Sequence, residues 1–224
     1  MKNKPVIIVN FKAYEQTIGE RAVALAKICE KVAVETGADI RVAVGATDIH
    51  KVSESVTIPV YAEHVDEYPL GKHTGSILPE MIKVAGASGT LINHSEFKIP
   101  MKKLEECIRR SRALGLVTVA CADTINEQEK ILGFSSKPDF IAIEPPELIG
   151  GDVSVSSARP ELIAESVEKA SSGHGTKLLV GAGIKNRADV EKAIELGAHG
   201  VLLASGIDLA SDPEAALKGL ITKQ

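Results

Sequence analysis

Tryptophan is absent from this 224-residue chain, and aromatic residues make up only 3% of it. A core without large rings must be aliphatic, and a hydrophobic content of 44% is enough to build one from Val, Ile, Leu and Ala. The three cysteines, Cys29, Cys107 and Cys121, are odd in number, widely spaced and form no CxxC pair. That argues against a zinc ribbon or a disulfide framework and suits a reducing cytoplasm. Basic charge is not in excess: the net charge is −4 and the pI about 5.9. A dedicated nucleic-acid surface is therefore not expected. Phosphate can still be held, because backbone N–H groups bind it without bulk positive charge. Long apolar runs are missing too. The opening MKNKPVIIVNFK has four consecutive apolar residues, so it predicts neither a signal peptide nor a membrane span.

What the chain does have is a repeating alternation. Eight short apolar runs occur: 6–10, 40–44, 59–62, 90–93, 117–120, 140–143, 178–180 and 201–204. They are continuously apolar, as strands covered on both faces are. Helical spacing follows between them. Leu25, Ile28, Cys29 and Val32 share one face, as do Val190, Ala193, Ile194 and Gly197. Leu104, Cys107, Ile108 and Ser111 repeat the spacing with a polar fourth member. Pro100 and Pro160 mark helix starts, and Asp212-Pro213 reads as a cap and first helical residue. Gly37, Gly86, Gly115 and Gly197 stand just before strands, where helices end on glycine.

Eight strand–helix units of about 28 residues each predict a compact single-domain (β/α)8 barrel over residues 1–224. A doubly wound open sheet would want GxGxxG after its first strand, and VNFKAYE has none. No linker, low-complexity stretch or charge block divides the chain.

A barrel of this kind carries its site where the strands end. Asn10 ends the first run, with Lys12 two residues on. Asn93 ends the fourth, followed by His94, Ser95 and Glu96. Glu144 ends the sixth. Gly181-Ala182-Gly183 follows the seventh run and Ser205-Gly206 the eighth, where exposed amides cradle phosphate in such barrels. Taken singly, each has a bland explanation, such as a rim charge, a bonded strand-end histidine or a tight turn. Together, a cation, an imidazole and a carboxylate beside a phosphate grip suit proton abstraction next to a carbonyl. Ser95 is also a good cap for a helix whose N-terminus would keep His94 neutral.

The sequence resembles the triosephosphate isomerase family, and its compact archaeal branch in particular. The resemblance lies in Asn10-Phe11-Lys12, Asn93-His94-Ser95-Glu96, Ala142–Gly150 (AIEPPELIG), Gly181-Ala182-Gly183 and Leu203-Ala204-Ser205-Gly206. It runs end to end, with the motifs in the family's order. It implies interconversion of dihydroxyacetone phosphate and D-glyceraldehyde 3-phosphate through an enediolate, in glycolysis and gluconeogenesis, with no metal or cofactor. The implied roles are Glu144 as base, His94 as neutral electrophile, Lys12 as electrostatic stabiliser, Asn10 as positioner and Glu96 behind them. This family is a familiar case of pKa tuning, so these roles come with the resemblance. Substrate contacts carried over with it are Asn10, Phe11, Lys12, Ile149, Gly150, Gly183, Ala204 and Ser205. The resemblance also implies a cytoplasmic homo-oligomer, dimer or tetramer with the tetramer favoured. Thr74-Gly75 would lie in a subunit contact, and neither nucleic acid nor membrane would be a partner.

The chain departs from the family at the lid. Gly150-Gly151-Asp152 stands where Gly-Thr-Gly is usual, and Ser154 replaces a proline. Two competing readings are a different sugar-phosphate barrel and a non-catalytic binder. An aldolase would need a Schiff-base lysine in a late strand, and runs five to eight hold none. A binder would have lost the base or the electrophile, and both are present. The basic residues Lys102, Lys103, Arg109, Arg110 and Arg112 read as a solvated helix face. His50, His64, His73, His174 and His199 lack metal-ligand spacing, and Cys121 reads as a small buried residue.

Overall fold

The computed structural model describes residues 4–145, 158–172 and 175–221. Its strands are β1 (Val6–Asn10), β2 (Asp39–Val44), β3 (Val60–Ala62), β4 (Gly89–Ile92), β5 (Val117–Ala122), β6 (Phe140–Ile143), β7 (Lys177–Val180) and β8 (Gly200–Leu203). They close in sequence order, and every neighbouring pair is parallel. The described α-helices are α1 (Glu20–Thr36), α2 (Ile49–Ser53), α3 (Pro79–Val84), α4 (Met101–Ala113), α5 (Ile125–Leu132), α6 (Pro160–Ser171), α7 (Arg187–Glu195), α8 (Ser205–Asp208) and α9 (Pro213–Ile221).

Two separate cores explain why the strands read as continuous apolar runs. Val6, Ile8, Ala43, Tyr61, Leu91, Val119, Cys121, Phe140, Ala142, Leu179 and Leu202 pack together in one cluster. Ile7, Val9, Val42, Ile92, Ile141, Val180 and Val201 join the helices in the other. Successive residues of one strand therefore serve opposite faces, and both faces are dry. The parity carries upward: Asn10 lies two residues beyond Ile8, Glu63 two beyond Tyr61, and Glu144 two beyond Ala142. Each is in register with the inner cluster.

At the other end, Arg41 plugs the barrel. Its guanidinium donates to both carboxylate oxygens of Asp39 (2.9 and 2.7 Å) and to the Tyr61 hydroxyl at 2.6 Å. It also lies 5.5 Å from the Phe140 ring centre. Closure needs a glycine: a Cβ on Gly200 would sit 1.9 Å from the Val6 carbonyl oxygen, where β8 meets β1.

All eight runs become strands, with ends shifted by a residue or two. Lys177 and Gly200 begin strands because each pairs across to a neighbour, Phe140 and Val6 respectively. A lysine does therefore stand in a late strand, contrary to expectation. It is the first residue of β7, at the end opposite the mouth, with its ammonium 5.7 Å from the Phe140 ring centre. Gly197 ends α7 at φ 97° and is exposed, so it stops that helix and does not extend its apolar face. The basic face of α4 is tied down more than expected. Lys103 pairs with Glu67 and Arg112 with Asp139, each at 2.7 Å, and the largely buried Arg110 pairs with Glu80.

Candidate active site

Two residues other than glycine take left-handed backbone among the described residues, Lys12 (φ 51°) and Asn93 (φ 64°). Both border the C-terminal mouth, where such strain is tolerated because neighbours hold it. The Lys12 amide donates to Asn10 Oδ1 at 3.2 Å, so the buried Asn10 side chain fixes the turn that presents the lysine. Asn93 is held three ways. Its amide nitrogen donates to the Cys121 carbonyl and to Glu127, both at 2.9 Å, and its oxygen accepts from the Ile99 amide at 3.0 Å. His94 therefore leaves β4 from a fixed point.

Glu96 ties the lysine to the histidine. Its carboxylate pairs with Lys12 Nζ at 2.7 Å, and its backbone amide donates to His94 Nδ1 at 3.2 Å. With Nδ1 accepting, the neutral ring carries its proton on Nε2. Nε2 in turn lies 3.5 Å from Glu144 Oε1. Burial lowers the imidazole pKa; Glu96 opposes that and Lys12 reinforces it. The expected helix after Ser95 is not the cause. Residues 93–100 turn back on themselves, with the Phe97 amide on the His94 carbonyl, and α4 starts only at Met101. Burial does here what a helix end was expected to do, while the Glu96 amide fixes the tautomer.

Glu144 is 1% exposed, and its Oε2 has no hydrogen-bond partner among the described residues. Burial pushes its pKa up to about 8; Asp123 adds to this, while the Cys121 thiol, Lys12 and Lys98 act against it. The backbone cannot drift, because the Glu144 amide bonds the Ala122 carbonyl and the Gly181 amide bonds that of Ile143. Gly181 gives the side chain its seat: a Cβ there would lie 2.4 Å from Glu144 Cγ.

These groups share one cavity of about 390 Å³, lined by Asn10, Lys12, His94, Glu144 and the turns at 181–185 and 202–206. Gly183, Ala204 and Ser205 are thus on its wall. Phe11 is not; it is fully buried in the helix-side core. Ile149, Gly150 and the lid departures at 151, 152 and 154 lie outside the described residues, as does His174. Tyr14 and Lys185 line the cavity without having been anticipated. Glu63 does not line the cavity, but counting by twos from Tyr61 brings it to the same end of the barrel. Its pKa is pushed up to about 7 by burial, against the pull of the Lys12 amide.

A closed (β/α)8 barrel that gathers a buried carboxylate, an imidazole and an ammonium with glycine-rich turns around one cavity at the C-terminal ends of its strands has the layout of a barrel enzyme. The family model for triosephosphate isomerase matches residues 5–218. The triosephosphate isomerase of Saccharolobus solfataricus is 48% identical, covering 97% of this chain and 95% of that protein. That of Methanobacterium bryantii is 46% identical over 100% and 98%. The crystal structure of triosephosphate isomerase from Bartonella henselae superposes with a TM-score of 0.73 at 22% identity, covering 96% of this chain and 98% of that one, a likeness of fold. The chain belongs to the triosephosphate isomerase family.

Proposed function

We infer that this mouth interconverts dihydroxyacetone phosphate and D-glyceraldehyde 3-phosphate. The observation that carries the reading is the pairing of a fully buried Glu144 with His94 Nε2 at 3.5 Å on the wall of one cavity. In its ionised form, Glu144 takes a proton from C1 of the ketone. The electron pair moves into a C1–C2 double bond, and the carbonyl oxygen becomes an enediolate oxygen. The Nε2 proton of His94 hydrogen-bonds that oxygen, and Lys12 leaves Glu96 to offset the new charge. His94 Nε2 passes its proton to the C2 oxygen and takes one from the C1 hydroxyl; Glu144 then returns the carbon-bound proton to C2 as the C1 oxygen's electron pair forms the aldehyde carbonyl. Amides of the turns at Gly183 and Ser205 hold the phosphate. Acid, base and cation all come from the chain itself.

The expected setting is the cytoplasm, in glycolysis and gluconeogenesis, a placement supported by three cysteines that are all free and buried. We propose a homo-oligomer, tetramer favoured, contacting through the loop that bears Thr74 and Gly75. Leu70 in that loop is 69% exposed and Val84 on α3 is 88% exposed, which supports a covered surface there. Light scattering in solution tests the assembly. The function is tested by a coupled assay on the purified protein with chelator present and triose phosphate saturating. Absence of turnover would overturn the isomerase reading.

A further inference from the structure

A second buried acid, whose charge couples to that of Lys12, has no part in the proton transfer above. Asp208 ends α8, is 3% exposed, and neither of its carboxyl oxygens has a hydrogen-bond partner among the described residues. A carboxyl without donors is poorly suited to carry a charge. Burial pushes its pKa up to about 7; Lys12 pulls it down, and Glu63 raises it further. Cys29, on α1, feels the Asp208 charge but is itself driven up to about 12 by burial, so it stays a thiol. On α9, Glu214 and Lys218 pair with Lys31 and Glu35 of α1. The cation whose field reaches Asp208 is therefore the one facing the cavity.

Asp208 is three residues beyond Ser205, whose turn lines that cavity. A phosphate dianion arriving there adds negative charge nearby and occupies Lys12. Both changes favour the neutral form of Asp208. We propose that Asp208 is a positioning residue for the phosphate: acting through Lys12, it takes one proton from solvent when the dianion binds and returns it when the ligand leaves. This rests on the phosphate-mouth reading above. A neutral Asp208 leaves the whole Lys12 charge to the ligand, whereas an ionised one competes for it, so binding weakens as pH rises past neutrality.

The test uses sn-glycerol 3-phosphate, a phosphate monoester without a carbonyl for Glu144 and His94 to act on. Calorimetric titration at pH 7.5, in buffers of different ionisation enthalpy, counts the protons taken up. Uptake by the phosphate or by Glu144 is common to all variants and cancels in the difference. The unsubstituted protein should take up about half a proton more per site than Asp208→Asn or Asp208→Leu. The rise of KM with pH above 7 should flatten in both variants. Equal uptake in all three proteins overturns the proposal. So does an excess that survives Asp208→Asn and disappears in Glu63→Gln, which would assign the proton to Glu63. If the ligand fails to bind at millimolar concentration, the phosphate site is itself wrong; binding with no difference in uptake overturns only the role of Asp208.

Discussion

Gly181 and Glu144 share one space: the carboxylate arm lies where a side chain on residue 181 would begin. The overlap, 2.4 Å from a would-be Cβ to Glu144 Cγ, involves the near end of an arm whose backbone is bonded on both sides. Gly181→Ala should therefore push the carboxylate away from His94 without dissolving the barrel. Misplacement of a reacting group by about 1 Å costs on the order of 100-fold in rate. Overpacking of this kind also costs about 1–3 kcal/mol in stability. Steady-state kinetics and chemical denaturation of the same preparation separate the two. A Gly181→Ala protein with unchanged kcat would mean that Glu144 has another place to go.

Replacing the carboxylate itself should divide activity from stability. Glu144→Gln removes the proton acceptor and should lower kcat by about 100- to 10,000-fold. The same change removes a buried charge with one unpartnered oxygen, so thermal stability at pH 8 should rise. A variant that is inactive and also less stable would contradict the burial cost assigned to this group.

Asn93 offers a test of strain against hydrogen bonding. Asn93→Ala removes three hydrogen bonds and leaves a side chain at φ 64°, whereas Asn93→Gly removes the bonds but relieves the backbone. The alanine variant should lose about 2–4 kcal/mol, and the glycine variant about 1 kcal/mol less than that. Equal losses would show that the left-handed turn carries little strain. Both should lower kcat through His94.

Stability should fall as pH rises from about 4 to 8. Glu63 and Asp208 are pushed up to about 7 and Glu144 to about 8, so the folded chain holds protons that the unfolded chain has released. The stability tied to each is full below its ordinary carboxylate value and is lost by the time pH passes the folded value. For Asp208, a rise of about 3 pH units corresponds to roughly 4 kcal/mol. Asp208→Asn should then flatten part of the decline, gaining little at pH 4 and most at pH 8. Denaturant midpoints across that range measure it, and a parallel offset at every pH would contradict the linkage.

Much of this was legible in the sequence because barrel strands are unusually plain signals. VIIVN and FIAI are apolar on both sides, which only a doubly covered strand requires, and Asn10 and Glu144 follow from where those runs stop. Phe11 was misplaced because adjacency to Lys12 in sequence says nothing about parity: one step along a strand turns a side chain from the mouth into the helix-side core. Ser95 misled for a related reason. A good cap residue does not by itself start a helix, and Asn93 bonds the chain into a turn that continues to Pro100. Asp208 gave no signal at all. Its setting depends on α8 folding against α9, which in turn packs on α1, a meeting of segments far apart in the chain.

The Arg41 plug bears on what an isotope experiment would see. Below Glu144 the inner-cluster side chains Ile8, Leu91, Cys121 and Ala142 are 0% exposed, and beneath them the Arg41 guanidinium is bonded to Asp39 and Tyr61 and lies against Phe140. Deuterium carried by Glu144 between the two carbons can wash out only through the upper opening. The ratio of label retained to label lost in each turnover would then be a clock for how long that opening stays shut.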